Sequence, residues 1–451
     1  MKIVRFEAEK INGYLDFNIK FKDKLTFLIG INGSGKTTAI KLILGLLSPS
    51  WFNLTQIKYK YAEVECLYND ELLIIRSEYS DEIKLKLSLT YPKNELKNVS
   101  STVKVQDLPT LKYNDFGRME MRQVMSRYSR YENHFIELDA VQKIRSIVTP
   151  IFLGLDRRIH EGADIDLINI DNYGREKDLT SNIKGNLYES LLDVESLIKN
   201  HFLEYSQEQS KISNTLKNKI IYSSFDIIKS KDGFAINIQS DIDIETRKKR
   251  IIEASKNFKI SDLESKIINY FDELAKIQAS LRKEQKKKNK SEKIFLKVLG
   301  QWFSNSPQLQ RIDNIISLYE NAQIEIIEKY KPFKKFEKLA NQFFEESNKK
   351  ISINNGILEI VLPNNDESSI YKLSSGEKQI IVMLAQLIFG TKREIFIIDE
   401  PELSLHLGWQ ELFVDSIINS SPDTQFILAT HSPSIVGSIE NENLCIDLTL
   451  N

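Results

Sequence analysis

Residues 26–45, "TFLIGINGSGKTTAIKLILG", leave a chain little freedom. An apolar strand-like run ends at Gly30, three glycines break the loop, and an apolar helix-like run follows. Gly30-Ile31-Asn32-Gly33-Ser34-Gly35-Lys36-Thr37 matches the phosphate-binding loop pattern. Glycines allow backbone angles that a side chain forbids, so successive N–H groups can point inward at a β-phosphate. The start of the following helix adds the positive end of its dipole. Lys36 is expected to bridge the β- and γ-phosphates, Thr37 to ligate Mg²⁺, and Thr38 to line the same nucleotide site. The pattern leaves open a motor, a switch or a small kinase.

The far end of the chain narrows that choice. In "EIFIIDEPELSLH", 394–406, a buried parallel strand ends at Asp399, where open α/β sheets place ligand-binding residues. Asp399 is expected to complete the Mg²⁺ shell through water. The adjacent Glu400 is a candidate general base for the attacking water. "FILATHSP", 426–433, is a second apolar run, ending in Thr430-His431. His431 is read as a γ-phosphate contact, against the alternative of a structural histidine. "LSSGEKQ", 373–379, precedes a strongly apolar helix. Ser374, Ser375 and Gly376 form a second anion-binding surface there, although "SSGE" would also make a plain helix cap. Two phosphate-facing surfaces in one chain are most simply explained if they serve different nucleotides, one protomer covering the γ-phosphate held by another.

Between these motifs the grammar changes twice. "KIVRFEAEKI", "LDFNIKF", "YKYAEVECLY", "ELLIIRSEY" and "IKLKLSLTY" alternate or run apolar between turn residues, so the first segment reads as β-rich. Residues 94–135 are polar without a clear period, and "PIFLGLDRR", 150–158, reads as a further buried strand. Residues 159–345 are rich in Lys, Glu, Asn and Gln and helical in period. Leu263, Ile267, Tyr270, Leu274, Ile277 and Leu281 form one seam, and Ile312, Ile316, Tyr319, Gln323, Ile326 and Tyr330 another. They predict an antiparallel hairpin or dimer-forming arm, or else two amphipathic helices packed on a globular neighbour. "KISINNGILEIVLP", 350–363, reads as a hairpin turning at Asn355-Gly356, and helix–strand alternation follows. The expected organisation is an N-terminal lobe at 1–158, a helical insertion at 159–345 and a C-terminal lobe at 346–451.

This order of motifs resembles the ABC-type ATPases of the SMC, Rad50 and RecF group, most closely the OLD-like ATPases of bacterial anti-phage systems. "LSSGEKQ", "IIDEPELSLH" and "ATHSP" carry the likeness. It implies an α/β ABC-type P-loop NTPase head with an antiparallel β subdomain, interrupted by a coiled-coil-like insertion. It implies ATP and Mg²⁺ as ligands, Ser374 and Gly376 acting in trans, Ser404 to His406 crossing between nucleotide sites, and His431 as a switch histidine. Arg157 and Arg158 are implied as sensors. Leu407 stands where many relatives have proline, and the family's Mg²⁺-approaching glutamine has no clear counterpart, Gln142 reading rather as a surface residue. An ATPase with an insertion and no effector is similar to the ATPase subunits of the Septu and PARIS systems. The expected protein is therefore a homo-oligomeric ATPase, at least a dimer through its heads, controlling a separate nuclease or toxin. The alternative is a DNA-clamping ATPase of genome maintenance. A scaffold without turnover fits poorly with an intact Glu400.

Composition sets the remaining limits. With 62 basic and 63 acidic residues the chain is not a general polyanion coat. "RKKR", 247–250, and "RKEQKKKNK", 282–290, could each line a phosphate track or be ordinary solvated surface. DNA binding stays open. Asp241-Ile-Asp243 reads as a solvated strand end, and the 20 residues after His431 leave no room for a nuclease domain. Cys66 and Cys445 make neither a disulfide framework nor metal spacing, no run approaches the ~20 apolar residues of a membrane span, and "MKIVRFEAEK" lacks a signal peptide's apolar stretch. A cytoplasmic protein without membrane attachment is expected.

Overall fold

The computed structural model describes residues 1–49, 54–55, 57–81, 84–105, 134–147, 150–153, 159–161, 179–224, 244–256, 263–286, 292–390, 394–403, 405–437 and 439–450. Its strands sort by hydropathy period. β1 (Lys2–Ile11), β2 (Leu15–Lys20), β4 (Tyr61–Tyr68), β5 (Glu71–Asp81), β6 (Lys84–Thr90) and β7 (Val99–Lys104) form one antiparallel sheet, ordered β2-β1-β4-β5-β6-β7. These strands alternate, as a sheet with one buried face requires; in β4 the inward positions are Ala62, Val64 and Cys66. β7 went unread in the sequence because "VSSTVK" is an edge strand whose positions are nowhere fully buried, so no apolar period marks it.

β10 (Lys350–Asn354), β11 (Ile357–Val361) and β12 (Glu367–Ser368) form a small antiparallel sheet, and a second six-stranded sheet has the order β15-β3-β14-β13-β8-β9. β3 (Leu25–Ile29), β8 (Ile151–Leu153), β13 (Ile395–Asp399), β14 (Gln425–Ala429) and β15 (Cys445–Asp447) run parallel, and β9 (Ile159–Glu161) is antiparallel to β8. β13 and β14 are buried at every position, which is why they read as continuous apolar runs. The register pairs Asp399 with Ala429 and Ala429 with Leu28, so three strands end side by side.

α1 (Lys36–Leu47) shares one core with both sheets, through Ile40, Ile43 and Leu44 together with Phe6, Val64, Ile397 and Ile427. Truncating fully buried Ile43 to Ala would cost about 2–5 kcal/mol. Gln425, fully buried, fastens the sheets to each other. Its Oε1 accepts from the Ile3 N–H (2.7 Å), and its Nε2 donates to the carbonyls of Ile3 and Lys22 (both 2.8 Å). α2 (Asp139–Arg145) buries Ala140, Val141 and Ile144 in the same core and leaves Gln142 exposed.

Two compact units divide the chain, residues 1–201 with 332–451, and 202–331. The second is narrower than the helical stretch expected at 159–345, because both long helices, α3 (Leu179–Ser224) and α6 (Glu292–Phe344), have their outer ends in the first unit. There His201, Phe333 and Phe336 pack on Phe389, at ring distances of 5.5, 5.2 and 5.6 Å. Phe389 ends α7 (Ser375–Phe389). At the other end of α7, Tyr371 stacks on Tyr188 (4.6 Å) and donates its hydroxyl to Glu195 (2.7 Å).

Within residues 202–331 the two predicted seams meet at Ile312 and otherwise take different partners. The seam of α5 (Leu263–Lys286) packs against α4 (Ile244–Lys256) and the first part of α6, where Leu299, Trp302 and Leu309 meet Phe271, Leu274 and Leu281. The second seam packs on α3, where Tyr319 and Ala322 meet Ile212 and Leu216. Heptad spacing marks the apolar face of a helix but carries no information about which helix covers it. Three of the four residues of "RKKR" are engaged in ion pairs. Arg247 binds Asp313, Lys248 binds Asp272 and Arg250 binds Glu320. Of "RKEQKKKNK", residues 287–290 lie outside the described residues, as do Asp241 and Asp243.

Candidate nucleotide site

The loop from β3 to α1 departs from ordinary backbone where the motif has glycine. Gly35 has φ +90°, and a Cβ there would stand 2.8 Å from the Phe17 ring. A Cβ on Gly30 would stand 2.6 Å from Ser34 Oγ. Both positions therefore exclude a side chain on sterics as well as on dihedral angle. Gly35 is also the N-cap of α1, and no side chain caps that helix, so its first-turn N–H groups are left to the loop. Lys36 is buried and folds over this turn, its Nζ donating to the carbonyls of Gly30 (2.7 Å) and Ile31 (3.2 Å).

Asn32, Gly33, Gly35, Lys36, Thr37 and Thr38 line an open cleft of about 240 Å³ together with Glu400. Gly30 and buried Ser34 shape the loop beneath it without lining it. Asn12, Tyr14 and Leu15, from the turn between β1 and β2, complete the wall. Sequence reasoning missed these three; the sign was the "NGY" turn, one strand ahead of the strand that enters the loop.

Asp399 ends β13 behind this cleft and is 3% exposed. Neither carboxylate oxygen has a hydrogen-bond partner among the described residues. Burial pushes its pKa up to about 6; the nearby Thr37 hydroxyl, not aligned as a full hydrogen bond, offsets part of that, and the Glu400 charge adds to the rise. A buried carboxylate without a partner is costly unless a cation compensates it. An aspartate beside a threonine hydroxyl is the hard oxygen donor set that Mg²⁺ takes, so these residues fit the metal.

Glu400 has φ +51°, in the left-handed region where a non-glycine residue is strained. Its N–H donates to the Ala429 carbonyl (2.8 Å), extending the parallel ladder by one bond. The strain sits where the strand must turn and leave a carboxylate in the cleft.

His431 does not line the cleft. Its ring is held by Glu402, a residue that sequence reasoning passed over: Nδ1 lies 2.8 Å from Glu402 Oε1. The visible sign was the second glutamate of "DEPE". Ser374, Ser375 and Gly376 also lie away from the cleft lining, with both serines exposed. Ser374 makes a full capping box. Its Oγ accepts from the Glu377 N–H (3.3 Å), while Glu377 accepts from the Ser374 N–H (2.8 Å). Lys349 pairs with Glu377 (2.7 Å), and this ion pair with the Ser374 N–H holds the Glu377 carboxyl below its usual range despite burial. An oxygen that accepts a hydrogen bond retains its own proton, so the cap leaves the Ser374 hydroxyl able to donate. His406 packs on Trp409 (4.6 Å) and faces Glu346. Ser404, Arg157 and Arg158 lie outside the described residues.

The AAA_15 family, an AAA ATPase domain, matches residues 1–436, both halves of this site included. The chain belongs to that family. Among curated relatives, this AAA ATPase is 36% identical over 98 residues to "Retron Vc95 probable ATPase" of Vibrio cholerae serotype O1 biovar El Tor. It is 32% identical over 99 residues to "Retron Ec83 probable ATPase" of Escherichia coli. Each match spans 19% of this chain, and respectively 19% and 18% of the relative. Among solved structures, the SMC head domain from Thermotoga maritima aligns over 99% of this chain and 94% of that one, at 10% identity and TM-score 0.37. The Smc head of Pyrococcus furiosus bound to the C-terminal domain of ScpA aligns over 96% and 91%, at 15% identity and TM-score 0.35. Among the described residues no helix of this ATPase is long and apolar enough to cross a membrane.

Proposed function

We propose that this AAA ATPase hydrolyses ATP in composite sites between copies of itself, and that the resulting assembly controls a separate nuclease or toxin in anti-phage defence. The observation that carries the reading is that the glycine-loop cleft and the exposed serine turn stand apart within one chain. The cleft holds the glycine loop, Lys36, Thr37 and Glu400, whereas exposed Ser374 and Ser375 stand outside its lining. A second copy supplying its serine turn would close the cleft and exclude water from the phosphates, where electrostatic stabilisation is strongest.

The loop N–H groups and Lys36 would bind the phosphates, exchanging the lysine's bonds to Gly30 and Ile31 for phosphate oxygens. Thr37 and Asp399 would hold Mg²⁺, whose role is to neutralise charge on the β- and γ-oxygens. Glu400 would orient water and accept its proton as the water oxygen bonds to the γ-phosphorus and the bridging oxygen leaves with ADP. His431 would contact the transferred phosphoryl group. The defence setting rests on the motif resemblance and on the short likeness to the two retron ATPases.

A dilution series of purified protein tests the composite site. Turnover per chain should rise with protein concentration and then level off as the oligomer saturates. A rate per chain independent of concentration, with sedimentation showing monomers throughout, would overturn the reading. Co-purification of a nuclease or toxin encoded beside this reading frame tests the effector. The genome-maintenance alternative would instead show salt-sensitive DNA binding that depends on ATP.

A further inference from the structure

Two loops leave neighbouring strands of the parallel sheet, one after β13 carrying Glu400 and Glu402, the other after β14 carrying Thr430, His431 and Ser432. They are joined by a polar clasp centred on Glu402, which is 8% exposed. Its Oε2 accepts from the Thr430 hydroxyl (2.8 Å). Its Oε1 accepts from the His431 main-chain N–H (2.9 Å) and faces the ring Nδ1 (2.8 Å). The clasp continues on the far side: the Ser432 N–H donates to Thr430 Oγ1 (3.0 Å), and the Ser432 hydroxyl donates to Gln410 Oε1 (2.6 Å). Gln410 in turn donates to the Leu405 carbonyl (2.8 Å), back in the first loop.

The chemistry of the partner decides the proton on the ring. An ionised carboxylate only accepts, so a ring nitrogen at 2.8 Å from it must carry hydrogen. Nδ1 is then the donor, and Nε2 is the nitrogen left for a ligand; it donates to a phosphate oxygen only when it also carries hydrogen. His431 is 45% exposed at its side chain, so that second edge of the ring is within reach of an incoming group. A carboxylate buried with three donors is also costly to leave half-paired, so Glu402 ties the histidine to the first loop more tightly than a solvated ion pair would.

We infer that Glu402 is a positioning residue for ATP hydrolysis: it holds His431 through Nδ1–H, turns the Nε2 edge of the ring outward, where a hydrogen on Nε2 can be donated to a γ-phosphate oxygen, and makes the histidine loop move with the loop that carries Glu400. The two glutamates of "DEPE" thereby take separate tasks, Glu400 facing the cleft and Glu402 facing the histidine. This inference rests on the reading of His431 as a phosphate contact.

The test uses the full chain labelled with ¹³C,¹⁵N-histidine, which gives five histidines, with His431→Gln identifying the signal. The ¹³Cδ2 shift, which separates the tautomers, should report Nδ1–H at His431 in the native protein and the Nε2–H form preferred by free imidazole in Glu402→Ala. In the isosteric Glu402→Gln, kcat should fall about 10- to 100-fold with KM for MgATP changed less than about twofold. Glu402→Gln keeps the size and one acceptor, so it serves if the alanine variant does not fold. Native tautomer and native turnover in these variants would overturn the inference. A protein without ATP hydrolysis whose His431 tautomer still follows residue 402 would instead sink the ATPase reading and leave the positioning of the ring standing.

Discussion

Glu400 is held in left-handed backbone by its neighbour across the sheet, the Glu400 N–H donating to the Ala429 carbonyl at 2.8 Å while its φ stands at +51°. Strain of this kind costs on the order of 1–3 kcal/mol and is relieved by glycine. Glu400→Gly should therefore raise the melting temperature while abolishing turnover. Glu400→Gln should keep the strain and the nucleotide but turn over slowly, accumulating the closed assembly. Calorimetry and single-turnover hydrolysis check both halves, and a fully active Glu400→Gln would assign the base elsewhere.

Asp399 predicts a pH signature in metal-free protein. Its pKa is raised from 3.8 to about 6 in the fold, so the native state binds more protons than the unfolded chain between those values. Stability then falls as pH rises through that window, by up to about 3 kcal/mol. Asp399→Asn should flatten this fall and melt several degrees higher than wild type in EDTA at pH 8. Added Mg²⁺ with nucleotide should stabilise wild type and not the variant. Equal melting of the two proteins in EDTA would show that Asp399 carries no buried-charge penalty.

Lys36 donates to two carbonyls of its own loop, so Lys36→Ala removes both the charge facing the phosphates and the bonds that fold the empty loop. Binding of a fluorescent ATP analogue should weaken by at least about 100-fold, a loss of about 3 kcal/mol. Unchanged affinity would refute the loop assignment.

Sharing in trans makes a mixing prediction. Chains carrying Lys36→Ala and chains carrying Ser374→Arg should each be inactive alone, yet equimolar mixtures should recover part of the wild-type rate, because one composite site stays intact. No recovery, with mixed oligomers demonstrated by mass, would place Ser374 in the cap alone.

The glycine loop and the buried strands of "IFIID" and "FILA" were legible because each depends on local requirements. A positive φ beside a crowded neighbour favours glycine, and a strand buried on both faces demands an unbroken apolar run. Periodicity likewise exposed the apolar faces of α5 and α6. It did not say which helix covers each face, because any apolar stripe satisfies any other until chain connection and shape choose between them.

What local sequence could not hold is which distant groups meet. Asp399, Ala429 and Leu28 are brought level by the register of three parallel strands, and beside that register stands the grip of Glu402 on His431, while the antiparallel sheet brings the turn at Tyr14 to the loop. Dihedral preference and hydropathy period are properties of a few consecutive residues, and this chain carries them openly in its motifs. Hydrogen-bond partners 29 residues apart, such as Glu402 and His431, belong to the packed sheet, because only its closure brings their donors and acceptors within reach.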